Sequence, residues 1–294
     1  MDWRWVTLAV VSDILVYVWH GVRWGLLLKP LAHIPLPTSV RAIYVGLFAN
    51  EVLPFRTGEV IRCYLLARWI PLPLTVTLTS ALIERIFDGI WLIVGLFISV
   101  KFVPLPGYLV KSGYGLAGVL LVAMLIVGLA MFYKRQAHIA LSGSKWLNQF
   151  IVLIENLHIM GNSRYIYVSL LASLPYLLIQ VIPIFALLRG YGIDLSLAQA
   201  TVLMIILRLS AVVPQAPGNL GTFQAFTVIG LQLFAIDTAL AKRFSLVMWS
   251  VITLPLLIAG FIALAITGLK FRDIRRDASS GLQPAPDPAP RSNI

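Results

Sequence analysis

The chain has 294 residues, 59% hydrophobic and 12% charged, with a mean hydropathy of +0.89, which leaves too little polar surface to cover a water-soluble globule of this size. Its formal charge of +11 does not signal nucleic acid, because Lys and Arg are spread through short connections rather than gathered on one soluble face. The single cysteine, Cys63, excludes an internal disulfide and any CxxC metal or redox motif, and as a small residue near a helix it is read as inert.

In chain order, continuous apolar spans are expected over residues 3–28, 75–100, 112–133, 165–188 and 243–269, each close to the roughly 20 residues of helix that cross a hydrocarbon core. They read as helices, since strands of alternating polarity are absent and open sheet edges cannot exist in lipid. Two further apolar segments are broken. One, at 38–69, contains "NEVLPFRTGEVIR" (residues 50–62), and the other, at 196–237, contains "PQAPGNLG" (residues 214–221). Between the third and fourth spans, residues 134–164 mix basic residues with Trp146, Leu147, Ile151 and Ile154, the pattern of an amphipathic helix lying on a membrane surface or of a polar connector with a short helix. The end of the chain, 271–294, is rich in Pro, Ala and Ser and is expected to be a cytoplasmic, largely disordered tail on a transmembrane domain over 1–270.

If both broken segments dip into the membrane and return to the side they left, one side collects Lys29, Arg41, Arg62, Arg68, Lys134, Arg135, Lys145, Arg164, Lys270, Arg272, Arg275 and Arg276. The other side collects only Arg4, Lys101, Lys111, Arg189, Lys242 and Arg243. The excess places the first set, and with it the C-terminus, in the cytoplasm. The N-terminus is then external, and an upstream span would reconcile that with a chain beginning at Met1 with no leader ahead of it.

The charges cluster at the breaks. Glu59 and Arg62, three apart, share one helical face, while Glu51 and Arg56 flank Pro54, where a regular helix cannot continue. In "ERIFD", Glu84 and Asp88 fall on one face with Arg85 beside them, and Arg208 precedes the second break. An isolated charge at the bilayer centre costs about 2.5–3.5 kcal/mol, so such groups compensate one another or face water. Structural ion pairs are the plain reading; their coincidence with Pro/Gly breaks in two halves of the chain favours a transport site at half-helix ends. Around Pro214, Pro217, Gly218 and Gly221 the amides from Asn219 to Thr222 are expected to be open to an anion, with Asn219 and Gln224 adding side-chain polarity. The two broken segments suggest inverted repeats.

"NEVLPFRTGEVIR", "ERIFD" and "RLSAVVPQAPGNLGTFQ", in this order and spacing, resemble the lysylphosphatidylglycerol synthase transmembrane region, also called the flippase-like domain family. The similarity runs over roughly residues 3–270, and the pair Arg23 and Trp24 looks like the end of the family's early helix. The resemblance implies a polytopic domain that moves lipids between leaflets. It carries over to Asn50, Pro54, Arg56, Gly58, Glu59, Arg62, Glu84, Arg85, Asp88, Arg208, Pro214, Pro217, Gly218 and Gly221. The family usually has Glu where this chain has Gln224, which removes a carboxylate from headgroup or proton binding. An initial helix common among relatives is missing, as is the soluble aminoacyl transferase domain of the bifunctional members, so synthase activity is not expected.

The sequence therefore reads as an all-α, polytopic transmembrane helix bundle with two broken re-entrant segments, located in the inner membrane. It is expected to be a flippase-like transporter of a phosphate-bearing lipid: an aminoacyl phosphatidylglycerol, another anionic phospholipid or a polyprenyl phosphate. Arg56, Arg62, Arg85 and Arg208 would bind the phosphate, and Glu59, Glu84 and Asp88 would hold the arginines or engage a cationic head. No metal site is expected, since His20, His33, His138 and His158 lack ligand spacing, and no GxxxxGK[ST] loop points to ATP or another cofactor. Expected partners are the lipid, a second copy of the chain or a lipid-pathway enzyme. The rival classes are an intramembrane enzyme using Glu84 and Asp88 on a lipid phosphate, and a scaffold subunit of a lipid or polysaccharide pathway.

Overall fold

The computed structural model describes residues 1–53, 57–132, 155–210 and 216–267, and among these there are helices and no strands. The long helices are α1 (Trp3–Leu28), α4 (Leu74–Val100), α5 (Gly107–Phe132), α6 (Arg164–Gly190) and α9 (Thr238–Thr267). The broken segments give two pairs of shorter ones, α2 (Leu36–Val52) with α3 (Gly58–Trp69), and α7 (Leu197–Ser210) with α8 (Thr222–Gln232). Helices α1, α6 and α9 are long and apolar enough to cross a membrane. Helix α4 has the length but carries Glu84, Arg85 and Asp88 within it. The chain is an all-α integral membrane protein.

Local chemistry sets the helix starts. The Asp2 carboxylate accepts from the Arg4 amide at 2.9 Å to cap α1, and Ser163 Oγ accepts from the Tyr165 amide at 3.3 Å to cap α6. Asp237 accepts from the amides of Ala239 and Leu240 at 2.8 and 3.0 Å at the start of α9. Helices α1 and α6 run antiparallel: the Asp2 amide donates to Gly190 O at 2.9 Å, Trp19 Nε1 donates to Ala172 O at 2.8 Å, and Ser169 Oγ donates to Arg23 O at 3.4 Å. The first apolar cluster joins Val6 and Ala9 of α1 to the end of α4 and to α6, α7, α8 and α9. A second joins Trp24, Leu27 and Leu28 of α1 to α2, α3 and the beginning of α4, and the helical residues 155–161 add Leu157 and Met160 to it. The middle of α1 lies between the two cores, and the polar side chains of the protein meet there.

Each broken segment folds as a hairpin of two packed helices. At 1.5 Å per residue, no limb of either hairpin, 11 to 17 residues long, reaches across a hydrocarbon core of about 30 Å. In the first hairpin the start of α3 rests on the backbone of α2: a Cβ added to Gly58 would lie 1.8 Å from Gly46 O and 2.6 Å from Asn50 Oδ1. In the second, a 3₁₀ turn over Pro217–Asn219 carries Gly218 and Asn219 at positive φ, followed by Gly221 at φ 84°. Only glycine adopts such φ values without cost, and asparagine does so more readily than most residues. Trp249 Nε1 of α9 holds this turn by donating to Gly218 O at 2.7 Å.

The helix boundaries agree with the sequence reading to within a few residues, except that α5 begins at Gly107 and α9 at Thr238, each five residues early, and the second broken segment, expected to run to 237, ends its last helix at Gln232. Arg62 is a correction: it lies inside α3 with its side chain buried, so it leaves the count of loop cations without changing the sign of that count. The surface helix expected at 134–164 falls mostly outside the described residues, as does the tail at 271–294.

Because a methyl group at Gly58 would meet backbone rather than a movable side chain, Gly58→Ala is expected to destabilise the protein by about 1–3 kcal/mol. Thermal unfolding in detergent checks this, with Gly115→Ala, whose Cβ meets nothing within 4 Å, as the neutral comparison.

Candidate functional site

Six charged side chains from α1, α3 and α4 close a ring of alternating sign between the two apolar cores. Arg62 donates to Glu59 Oε2 at 2.8 Å and to Glu84 Oε2 at 2.9 Å. Arg23 donates to Glu84 Oε1 at 3.1 Å and to Asp88. Arg85 pairs with Asp88 at 3.4 Å and closes the ring on Glu59 Oε1 at 3.1 Å. Three guanidiniums and three carboxylates sum to zero. Six isolated charges at that depth would cost on the order of 15–20 kcal/mol, and a closed neutral ring removes most of that by giving each charge two opposite neighbours. Arg23 is stacked on the Tyr176 ring at 4.4 Å and Arg62 on the Trp24 ring at 4.6 Å. His20 Nε2 lies 3.1 Å from Glu84 Oε1, so Glu84, fully buried, has three partners.

Beside the ring lies a cavity of about 210 Å³, walled by α1, α2, α6, α7 and α9 and by the turn of the second hairpin. Asp13, Val16, Tyr17 and His20 contribute one face of α1, and Glu59 and Arg85 present the outer edge of the ring. Tyr176 and Gln180 come from α6 and Arg208 from the last turn of α7. Arg208 donates to Gln180 Oε1, and among the described residues it forms no ion pair. The two breaks meet at this cavity, where Asn219 Nδ2 of the second hairpin donates to Glu51 Oε1 of the first at 3.0 Å.

The site residues expected from sequence divide accordingly. Glu59, Arg62, Glu84, Arg85 and Asp88 form the ring, and Arg208 and Asn219 face the cavity. Asn50 also lines the cavity, and its Oδ1 accepts from the Gly58 amide at 2.8 Å, so it bridges the first break. Arg56, Pro54 and Pro214 lie outside the described residues. Three expectations are revised. Arg62, 2% exposed, is held by two carboxylates through its Nε and Nη2 and is closed off from the cavity by its burial. Two of the amides expected to be open at the second break are occupied, that of Asn219 by Ala216 O at 3.0 Å and that of Gly221 by Gln224 Oε1 at 2.7 Å. Gln224 therefore caps α8 and lines a separate apolar groove between α8 and α9 rather than the polar cavity.

Sequence reasoning missed Arg23 as a ring member and Asp13, Tyr17, His20, Tyr176 and Gln180 as cavity walls. A signal existed in α1, where Asp13, Tyr17, His20 and Trp24 follow one another at helical spacing inside an apolar span. The α6 residues carry no comparable mark.

The described residues thus form an all-α membrane protein with two helical hairpins, a neutral buried charge ring and a small polar cavity beside it. The model of the lysylphosphatidylglycerol synthase TM region matches residues 1–260, and the chain belongs to that family. It is also similar to the UPF0104 membrane protein MJ1595 of Methanocaldococcus jannaschii, 22% identical over 285 residues that cover 90% of this chain and 84% of the relative. No solved structure gives a significant match.

Removing one member of the ring leaves an uncompensated buried charge. Glu84→Gln is expected to cost about 3–5 kcal/mol, more than Arg189→Ala, whose pairing with Asp194 is exposed. Unfolding temperatures of the two variants in the same detergent check the order.

Proposed function

We propose that the protein carries a phosphate-bearing lipid between leaflets, with the headgroup entering the cavity between the two hairpins and the acyl chains remaining in the bilayer. The observation that carries this reading is Arg208, a permanently charged fork on a cavity wall with no carboxylate in salt-bridge contact with it among the described residues. The ring arginines are already neutralised, so Arg208 supplies the attraction and the ring supplies a rigid wall. Arg85, about half exposed at the cavity edge, is placed to assist. The volume supports a headgroup rather than a whole lipid, since about 210 Å³ equals the share of roughly seven water molecules in the liquid.

In this reading both hairpins re-enter the membrane from opposite faces, their short limbs stopping near the midplane, and the two segments are related as inverted repeats. The Lys and Arg balance of the loops then puts the C-terminus in the cytoplasm and the protein in the inner membrane. The rival enzyme reading needs Glu84 and Asp88 free for a metal or a proton, but each is held by two arginines or by arginines and a histidine. The protein is proposed to act as a transporter without chemical change to the lipid.

Reconstituted in vesicles with fluorescent phosphatidylglycerol, the wild type is expected to expose inner-leaflet probe to an external quencher, with the probe chemically unchanged by mass spectrometry. Arg208→Ala should slow that exposure by about tenfold or more, the loss expected for one charge-assisted hydrogen-bonding group. Normal rates in a stable Arg208→Ala protein refute the phosphate assignment.

A further inference from the structure

Asp13 is a second ionisable group in the cavity that the ring does not use. It stands in the middle of α1 and is 8% exposed, and among the described residues its carboxylate takes part in no hydrogen bond or ion pair. It lies within electrostatic reach of Arg208 across the same cavity. The other polar groups facing it are neutral or already engaged. Tyr17 on α1, Tyr44 on α2, Tyr176 and Gln180 on α6 and Thr253 on α9 carry no charge, Tyr44 donates to Ile14 O at 3.1 Å, and Gln180 accepts from Arg208. Glu51 on α2 accepts from Asn219, His20 is bound to Glu84, and Glu59 and Arg85 belong to the neutral ring.

Outside the ring, the described walls of the cavity thus carry two carboxylates, Asp13 and the amide-bound Glu51, and one guanidinium, Arg208. A phosphodiester that binds Arg208 brings a negative charge into a place where an uncompensated charge is costly. We infer that Asp13 is the counter-ion of Arg208 while no lipid is bound, and that it takes up a proton when a lipid phosphate takes its place. The inference rests on the reading of Arg208 as the phosphate ligand. The proton comes from solution through water entering the cavity; one O–H bond forms on the Asp13 carboxylate as one breaks in the hydronium that delivers it, no covalent bond of the lipid is altered, and the proton offsets the phosphate so that the net charge of the cavity is unchanged. Headgroup binding is then linked to pH, and proton uptake on one side of the membrane with release on the other provides a coupling device.

The test uses the whole protein in detergent, with fluorescent phosphatidylglycerol as the probe because its phosphodiester does not titrate over the range used, roughly pH 5–8. Wild-type affinity should weaken as pH rises, by up to about tenfold per pH unit where one proton accompanies binding. Calorimetry in buffers of different ionisation enthalpy should count about one proton taken up per lipid. Asp13→Asn, which imitates the protonated carboxyl, should bind with no pH slope, take up no proton, and bind at least as tightly as the wild type does at the lowest pH. A slope that persists in Asp13→Asn overturns the inference, and so does a slope kept there but lost in His20→Asn, which would assign the proton to the imidazole. Weaker binding by Asp13→Asn at every pH also overturns it, because Asp13 would then be touching the headgroup. Failure of the underlying reading looks different: Arg208→Ala would bind the probe as tightly as the wild type. Soluble glycerophosphoglycerol should compete with the same pH slope if the head alone is recognised, and should fail to compete if the acyl chains are required.

Discussion

Charge neutrality at depth is the constraint on which this structure depends. Arg23, Glu59, Arg62, Glu84, Arg85 and Asp88 come from three helices, and none of them is tolerable alone between two apolar cores. Their closure fixes the first turn of α3 against α4 and the C-terminal half of α1 against both. That placement in turn holds Gly58 on the backbone of α2, where no other residue fits, and sets the position of the first break. The ring is therefore a positioning device before it is anything else, and removing a partner is expected to be felt as instability.

Once the ring is recognised as self-contained, the remaining buried charges stand out by contrast. A guanidinium with two carboxylates has little attraction left for a ligand; one that faces a cavity and, among the described residues, has no carboxylate in contact keeps more of it. The same distinction weakens the view of Glu84 and Asp88 as catalytic carboxylates, since both serve as acceptors for arginines. Number and proximity of charges, the features most visible in the sequence, thus mark the scaffold more strongly than the site.

Much of the fold was legible for a simple reason: hydropathy over some twenty residues is a one-dimensional property, and so are Pro and Gly interruptions. Local pairs were legible as well, because Glu59 with Arg62 and Glu84 with Asp88 are set by helical spacing alone. Arg23, which bridges Glu84 and Asp88, is 61 and 65 residues away from them in sequence, and only the packing of α1 against α4 and α6 brings it there. Gln224 was misread because an amide near a helix start has two uses, binding a ligand or capping the helix. The sequence does not say which one the backbone takes, and here it caps at 2.7 Å.

The two hairpins differ in a way that assigns them different roles. Helix α3 begins at the first break with Glu59 in its first turn, so the positive end of its dipole is answered by an acid that also belongs to the ring. Helix α8 begins at the second break with no acid in its first turn, and its cap is the neutral side chain of Gln224. Asn219, just before that start, and Phe223, just after it, line the cavity together with Arg208 at the end of α7, where the basic residue opposes a negative helix end. Among the described residues, the helix that starts at the first break thus has an acid in its first turn, while the one that starts at the second has none. The asymmetry favours the second hairpin as the seat of the proposed phosphate. It also gives Asp13, on the opposite wall, the place of the charge that such a group must compete with.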